Sequence, residues 1–300
     1  MFLKQAIQYN NPFWMYLLGS FVILIFNIVG QFPLTYVIMK EGSMVPGGDP
    51  MEMMRNIDKN LQFFLLLIPF VIGFLGLWLV VKKLHERSLI SISTARKKID
   101  WRRIIYAFLI WALITFLLIT INYVLNPNSY VWNFNKQRFV ILFFIAIFLV
   151  PFQTSLEEYI FRGYLMQGFG GIFKNAWAPL LITSFIFGCL HLFNPEVEKL
   201  GYGILTYYVG TGLFLGIMTL MDDGIELALG FHAANNLITA LLVTSNWTAF
   251  QTESILIDVS EPSLGSELFL SLFLFYPLFL VIMSKKYEWN SWKSKLTMIL

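Results

Sequence analysis

Residues 140–162 read VILFFIAIFLVPFQTSLEEYIFR, an apolar run from Val140 to Phe152 that passes without a break into the charged stretch Glu157–Arg162. A spanning helix needs about 20 mostly apolar residues, because the hydrocarbon core is ~30 Å thick and a helix rises ~1.5 Å per residue. The stretch is therefore counted as one long membrane helix over 139–160. Applied outward, the same test gives candidate spans at 13–39, 61–81, 104–125, 139–160, 176–193, 203–221, 224–244 and 266–284. The expected fold is all-α, a polytopic transmembrane helix bundle of about eight spans forming a single membrane domain over 1–300.

Composition points the same way. Hydrophobic residues make up 57% of the chain and charged residues 13%, with a mean hydropathy of +0.68, whereas soluble domains sit near 45–50% apolar and ~25% charged. A formal charge of +3 is too small to argue for a nucleic-acid partner, and no nucleic acid is expected. The single cysteine, Cys189, leaves no intramolecular disulfide or Cys-based zinc cluster and reads as a buried small apolar residue. The first apolar run is too long for a signal-peptide core and lacks a small-residue cleavage site, so it is expected to stay attached. Pro46-Gly47-Gly48 and Gly168-Phe169-Gly170-Gly171 read as punctuation between helices.

Basic residues set the expected orientation. The connection 82–103 carries Lys82, Lys83, Arg87, Arg96, Lys97, Lys98, Arg102 and Arg103, and the tail carries Lys285, Lys286, Lys293 and Lys295. Both belong on the cytoplasmic side. The loop 245–265 holds Glu253, Asp258 and Glu261 with no basic residue, as expected outside. Eight spans satisfy all three assignments and leave both termini cytoplasmic. The absence of targeting or retention signals suggests a prokaryotic plasma membrane.

Ionisable groups within spans cost ~2.5–3.5 kcal/mol each on insertion scales and so mark functional sites. Glu158 and Arg162 are four residues apart on one helix face and can neutralise one another. Glu157, rotated about 100° from Glu158, is left as the freer carboxylate and the candidate general base. The bland alternative is a charge pair at a helix end near the headgroups. Of three histidines, His191 and His232 lie in apolar spans, whereas His85 sits in the basic loop and reads as solvated. Phe187 stands one turn before His191 and can pack on its ring. Asn236 stands one turn after His232, so imidazole and carboxamide project from one face and can donate to one developing oxyanion. Asn235 is an alternate for either role, and plain interhelical hydrogen bonding is the bland reading of both. Asp222, Asp223 and Glu226 read as a solvated cap on the seventh span or as an entrance lining.

In order along the chain stand Glu157-Glu158-x-x-x-Arg162, Phe187-x-x-x-His191 and His232-x-x-x-Asn236. Their order and spacing resemble the CAAX-protease and bacteriocin-processing family (CPBP, also called Abi), intramembrane endopeptidases related to the Ras-converting CAAX endopeptidase. The resemblance covers a CPBP-like catalytic core over 138–244; the N-terminal spans, 1–137, carry no recognised family. It implies that Glu157 and His191 activate the attacking water and that His232 and Asn236 hold the tetrahedral oxyanion, with Glu158, Arg162 and Phe187 supporting them. On metals it carries two versions, one glutamate-dependent without a metal and one a metalloprotease. No HExxH pair is present, but Glu157, His191 and His232 could form a His₂Glu site for a divalent metal such as zinc.

The expected function is hydrolysis of a peptide bond in a membrane-embedded or lipid-anchored peptide, with the lipid bilayer and a membrane peptide or protein substrate as partners. A proton- or ion-coupled transporter and a non-catalytic membrane scaffold or regulator are the alternatives. One conflict stands at this level. The apparent span boundaries put Glu157 near the inner end of the fourth span and His191 near the outer end of the fifth; tilt, a shifted helix start or a re-entrant 163–175 segment would reconcile them.

Overall fold

A computed structural model describes residues 2–9, 11–41, 50–54 and 56–300 of the chain; Pro46-Gly47-Gly48 lies outside the described residues. Each candidate span contains a helix, although 190–193 of the fifth are turn and 243–244 of the seventh belong to a strand. The helices are α1 (Phe13–Lys40), α2 (Lys59–Leu84), α3 (Trp101–Leu125), α4 (Lys136–Phe173), α5 (Trp177–Cys189), α6 (Tyr202–Asp222), α7 (Glu226–Leu242) and α8 (Leu268–Lys286). Among the described residues, six of these are long and apolar enough to cross a membrane; α5 and α7 are the shorter two. The protein is an integral membrane protein with an all-α bundle.

Helix α7 lies innermost, against α3, α4 and α6, while α2 joins α1 to α4 and α5 lies along α6. Small residues make these approaches possible. A Cβ at Gly230 of α7 would run into the Ile104 carbonyl of α3 and stand 3.0 Å from the Ala107 Cβ. At Gly212 of α6 a Cβ would meet the Ser184 Cα of α5 at 3.0 Å. The backbones of both pairs therefore touch, and α7 is packed on protein along most of its length, with Glu226, His232 and Ala234 all buried.

Helix α4 resolves the conflict of depth. It does not end near residue 160, and 163–175 is not a separate re-entrant piece. The helix runs 38 residues to Phe173, through a π-helical segment at Tyr159–Leu165. The Gly168-Phe169-Gly170-Gly171 stretch is part of its last turns, not a connection. At ~1.5 Å per residue, α4 descends about 24 Å from Glu157 to Phe173, and the chain climbs back about 21 Å from Trp177 to His191. His191 is thereby returned to the level of Glu157.

At the end of the bundle where α4 finishes, the basic connection, the N-terminal residues and the C-terminal tail pack together. Arg96 pairs with Asp222 at 3.1 Å and with Glu226 at 3.3 Å, and Arg103 also holds Asp222. Lys295 reaches Asp223 at 3.0 Å, the Phe2 amide donates to Asp223, and the Leu300 amide donates to the Lys174 carbonyl. Asp222 and Glu226 are thus not a solvated cap, since their side chains are 1% and 0% exposed, whereas Asp223 keeps 29%. Burial of carboxylates requires compensating charge, which the 82–103 connection supplies. His85 is buried too, its Nε2 2.7 Å from the Tyr164 hydroxyl. Cys189 is half-buried rather than buried.

The opposite end carries a small sheet that helical periodicity gave no hint of. Strands β1 (Tyr130–Trp132), β2 (Val243–Ser245) and β3 (Leu256–Asp258) form the order β1-β3-β2, with β1 antiparallel and β2 parallel to β3. Arg138, at the start of α4, binds Glu253 at 2.7 Å and ties the acidic loop to this end.

Candidate active site

The site is built where α4, α7 and the turn after α5 meet. On α4, Gln153 and Glu157 stand one turn apart, and Gln153 Nε2 donates to Glu157 Oε1 at 2.5 Å. Glu158 and Arg162, also one turn apart, form an ion pair at 3.1 Å, with the two side chains 0% and 1% exposed. Arg162 donates further to the Gly212 carbonyl of α6 at 3.4 Å and lies over the Phe187 ring, 4.4 Å from its centroid. Two adjacent carboxylates are in this way set apart: Glu158 is enclosed and neutralised, whereas the Glu157 side chain keeps 18% of its exposure.

His232 of α7 joins both. Its Nδ1 lies 2.7 Å from Glu158 Oε1, and its Nε2 lies 3.7 Å from Glu157 Oε2. A carboxylate only accepts, so Nδ1 carries a proton, and Nε2 can donate only when the ring is the doubly protonated imidazolium.

His191 sits just past the end of α5, in a turn rather than in the helix proper. Its Nδ1 is 2.7 Å from the Phe187 carbonyl oxygen. Since a carbonyl only accepts, Nδ1 carries a proton, and a singly protonated ring then presents a bare Nε2. The ring stacks on Tyr208 of α6 with centroids 4.1 Å apart at 21°, and it leans on Phe187 at 4.8 Å. Phe187 also faces His232, with centroids 6.4 Å apart. One buried aromatic ring therefore bridges the two imidazoles.

Asn236 Nδ2 donates to Gln153 Oε1 at 2.9 Å, which brings the carboxamide beside the Glu157 turn of α4. Asn235 faces away: its Oδ1 receives Trp111 Nε1 of α3 at 3.1 Å and its Nδ2 donates to Asn236 Oδ1 at 3.1 Å. Gln153, Tyr208 and Trp111 escaped the sequence reading. Gln153 had a usable signal, an amide one turn before Glu157 in an otherwise apolar run. Tyr208 and Trp111 had none, because each meets its partner from another helix.

Glu157, His191 and His232 do not gather as metal ligands. Zinc bound by nitrogen and oxygen sits ~2.0–2.2 Å from each ligand atom, so three ligands must converge on one point. Among the described residues, no group of three or more His, Cys, Asp or Glu side chains does so. The residues as placed do not fit a zinc site.

A family model described as type II CAAX prenyl endopeptidase Rce1-like matches residues 136–238, the segment from the start of α4 to just past Asn236. The chain is also 31% identical over 243 residues to the uncharacterized protein YyaK of Bacillus subtilis, covering 80% of this chain and 81% of the relative. No solved structure matches.

Proposed function

Because this chain belongs to the Rce1-like family of type II CAAX prenyl endopeptidases, we propose that it hydrolyses a peptide bond in a membrane-embedded or lipid-anchored peptide, using Glu157, His191, His232 and Asn236. The observation that carries the reading is the sharing of His232 between two carboxylates. Nδ1 is held at 2.7 Å by the buried Glu158, and Nε2 stands 3.7 Å from the more open Glu157.

The proposed steps use each group as the donor or acceptor its hydrogen bonds allow. Glu157 takes a proton from water as the hydroxide forms its bond to the scissile carbonyl carbon, while the bare Nε2 of His191 accepts the water's other hydrogen and orients it. Positioned bases of this kind contribute ~10²–10⁴-fold. The carbonyl oxygen becomes an oxyanion and takes hydrogen bonds from an Asn236 amide N–H and from Nε2–H of the His232 imidazolium. One such donor is worth ~10²–10³-fold. The tetrahedral species collapses as Glu157 returns its proton to the leaving amine. Glu158 holds the His232 ring in place and Arg162 neutralises Glu158, so neither carboxylate is left uncompensated in a medium of low dielectric.

The end of the bundle that gathers the basic connection and both chain ends is, on this reading, cytoplasmic, with the sheet on the far side of a prokaryotic plasma membrane. The excess of Lys and Arg there supports the assignment.

The test is cleavage by the purified protein in nanodiscs, against a farnesylated CAAX-type peptide and a library of membrane-spanning peptides. Cleavage by the parent chain that disappears in Glu157→Gln, with the melting temperature preserved, is the expected result. A Glu157→Gln variant that cleaves at the parental rate overturns the mechanism, and a parent that cleaves none of the peptides favours the scaffold reading instead.

A further inference from the structure

Three side chains that the mechanism leaves unused continue its hydrogen bonding into the protein. Trp111 Nε1 donates to Asn235 Oδ1 at 3.1 Å, Asn235 Nδ2 to Asn236 Oδ1 at 3.1 Å, Asn236 Nδ2 to Gln153 Oε1 at 2.9 Å, and Gln153 Nε2 to Glu157 Oε1 at 2.5 Å. We propose that Trp111, Asn235 and Gln153 are positioning residues, a one-way hydrogen-bond chain that orients the Asn236 carboxamide and the Glu157 carboxylate for the reaction. The inference rests on the roles proposed above for those two residues.

The two ends determine the direction of everything between them. An indole N–H is a donor and nothing else; an ionised carboxylate is an acceptor and nothing else. A primary amide can turn over by rotation about its last bond, exchanging oxygen for nitrogen, and a lone Asn236 would be free to do so. Here Trp111 admits only the oxygen of Asn235, which leaves its nitrogen for the oxygen of Asn236, and so on to Glu157. Turning any one amide over sets oxygen against oxygen or N–H against N–H with a neighbour. The anchor itself is rigid. Trp111 is 3% exposed, and its ring lies 4.3 Å from Phe231 and 5.6 Å from both Tyr276 and Phe279. Gln153 is 4% exposed, so water does not compete for its amide. Successive donations in one direction also polarise one another.

Asn236 has two amide hydrogens, of which the chain uses one. The orientation imposed by Trp111 thereby guarantees that the group carrying the second is nitrogen and not oxygen. An oxygen there would repel the developing oxyanion.

Trp111→Phe keeps an aromatic ring in the cluster and removes the anchoring N–H. With whichever of the farnesylated CAAX-type and membrane-spanning peptides the parent cleaves, kcat is expected to fall about tenfold, the scale of one coupled interaction, with KM unchanged and the folded state retained at a lowered melting temperature, since a buried acceptor loses its donor. In an Asn236→Ala background the same substitution should change kcat by less than about twofold, because the oriented group is gone. A packing role for Trp111 would give the same loss in both backgrounds, and that result, or a parental kcat in Trp111→Phe, overturns the chain. A second measurement does not depend on turnover. The indole ¹⁵N–H resonance of Trp111, assigned by its disappearance in Trp111→Phe, should move upfield in Gln153→Leu and in Glu157→Gln. If it moves in neither, the chain is refuted, whether or not the parent cleaves a peptide. Movement together with an inactive parent would retain the chain and fail only the hydrolase reading.

Discussion

His232 Nδ1 and Arg162 Nη1 converge on a single oxygen, Oε1 of Glu158, at 2.7 and 3.1 Å. That oxygen belongs to a residue with no exposure, and it links α4 to α7 across the centre of the bundle. Removing its charge and removing the neighbouring charge of Glu157 should therefore have different consequences, although the two residues are adjacent in sequence.

Glu158→Gln leaves the Arg162 guanidinium buried without its counter-charge, and breaking such a pair costs about 3–5 kcal/mol. The expected outcome is a clear fall in the detergent-solubilised melting temperature together with loss of cleavage. Glu157→Gln should shift stability by less than ~1 kcal/mol, because its side chain is partly exposed and makes no tight ion pair, while lowering kcat by ~10²–10⁴-fold. Equal melting curves for the two variants would contradict this division of labour.

Tyr208 holds the His191 ring by stacking, and aromatic pairs of this kind are worth ~0.5–1.5 kcal/mol. Tyr208→Leu is expected to lower kcat/KM about two- to tenfold, whereas Tyr208→Phe, which keeps the ring, should stay close to the parent. Steady-state kinetics of both variants decide it.

Gly230 is where α7 meets α3. Gly230→Val would drive a branched side chain into the Ile104 carbonyl, and overpacking of this sort costs about 1–3 kcal/mol. Reduced yield of folded protein and a lower melting temperature are expected. A variant that melts with the parent would show that the two helices can separate freely.

His85 lies outside the spans, and its burial, reinforced by the positive charge of Arg87, lowers its pKa from the ordinary 6.5 to about 4. The folded state therefore keeps this imidazole neutral where the unfolded chain binds a proton, and stability drops as pH falls from about 6.5 towards about 4. Above pH 7 the contribution is fully present. Thermal melts across that window should show the decline, and His85→Gln should flatten it.

Since Glu157, His191 and His232 do not converge on one point, cleavage is expected to persist in the presence of a strong chelator. Loss of activity that added zinc restores would overturn this expectation.

The sequence by itself determined what depends on neighbours along the chain. Long apolar runs specify where helices stand, and a spacing of four residues places Glu158 on Arg162 and His232 with Asn236, because such pairs share a helix face; Phe187 meets His191 across the turn that follows α5. Tertiary structure alone decided which faces meet. The depth of His191 depended on α4 running on to Phe173; the burial of Asp222 and Glu226 depended on a basic connection more than a hundred residues earlier in the chain. Tyr208 and Trp111 acquired partners only when α6 and α3 packed beside the site. Local periodicity governs which side chains one helix can align, but contacts between helices are chosen by complementary shape and by the pairing of buried charges and hydrogen-bonding groups, and that is a property of the assembled bundle.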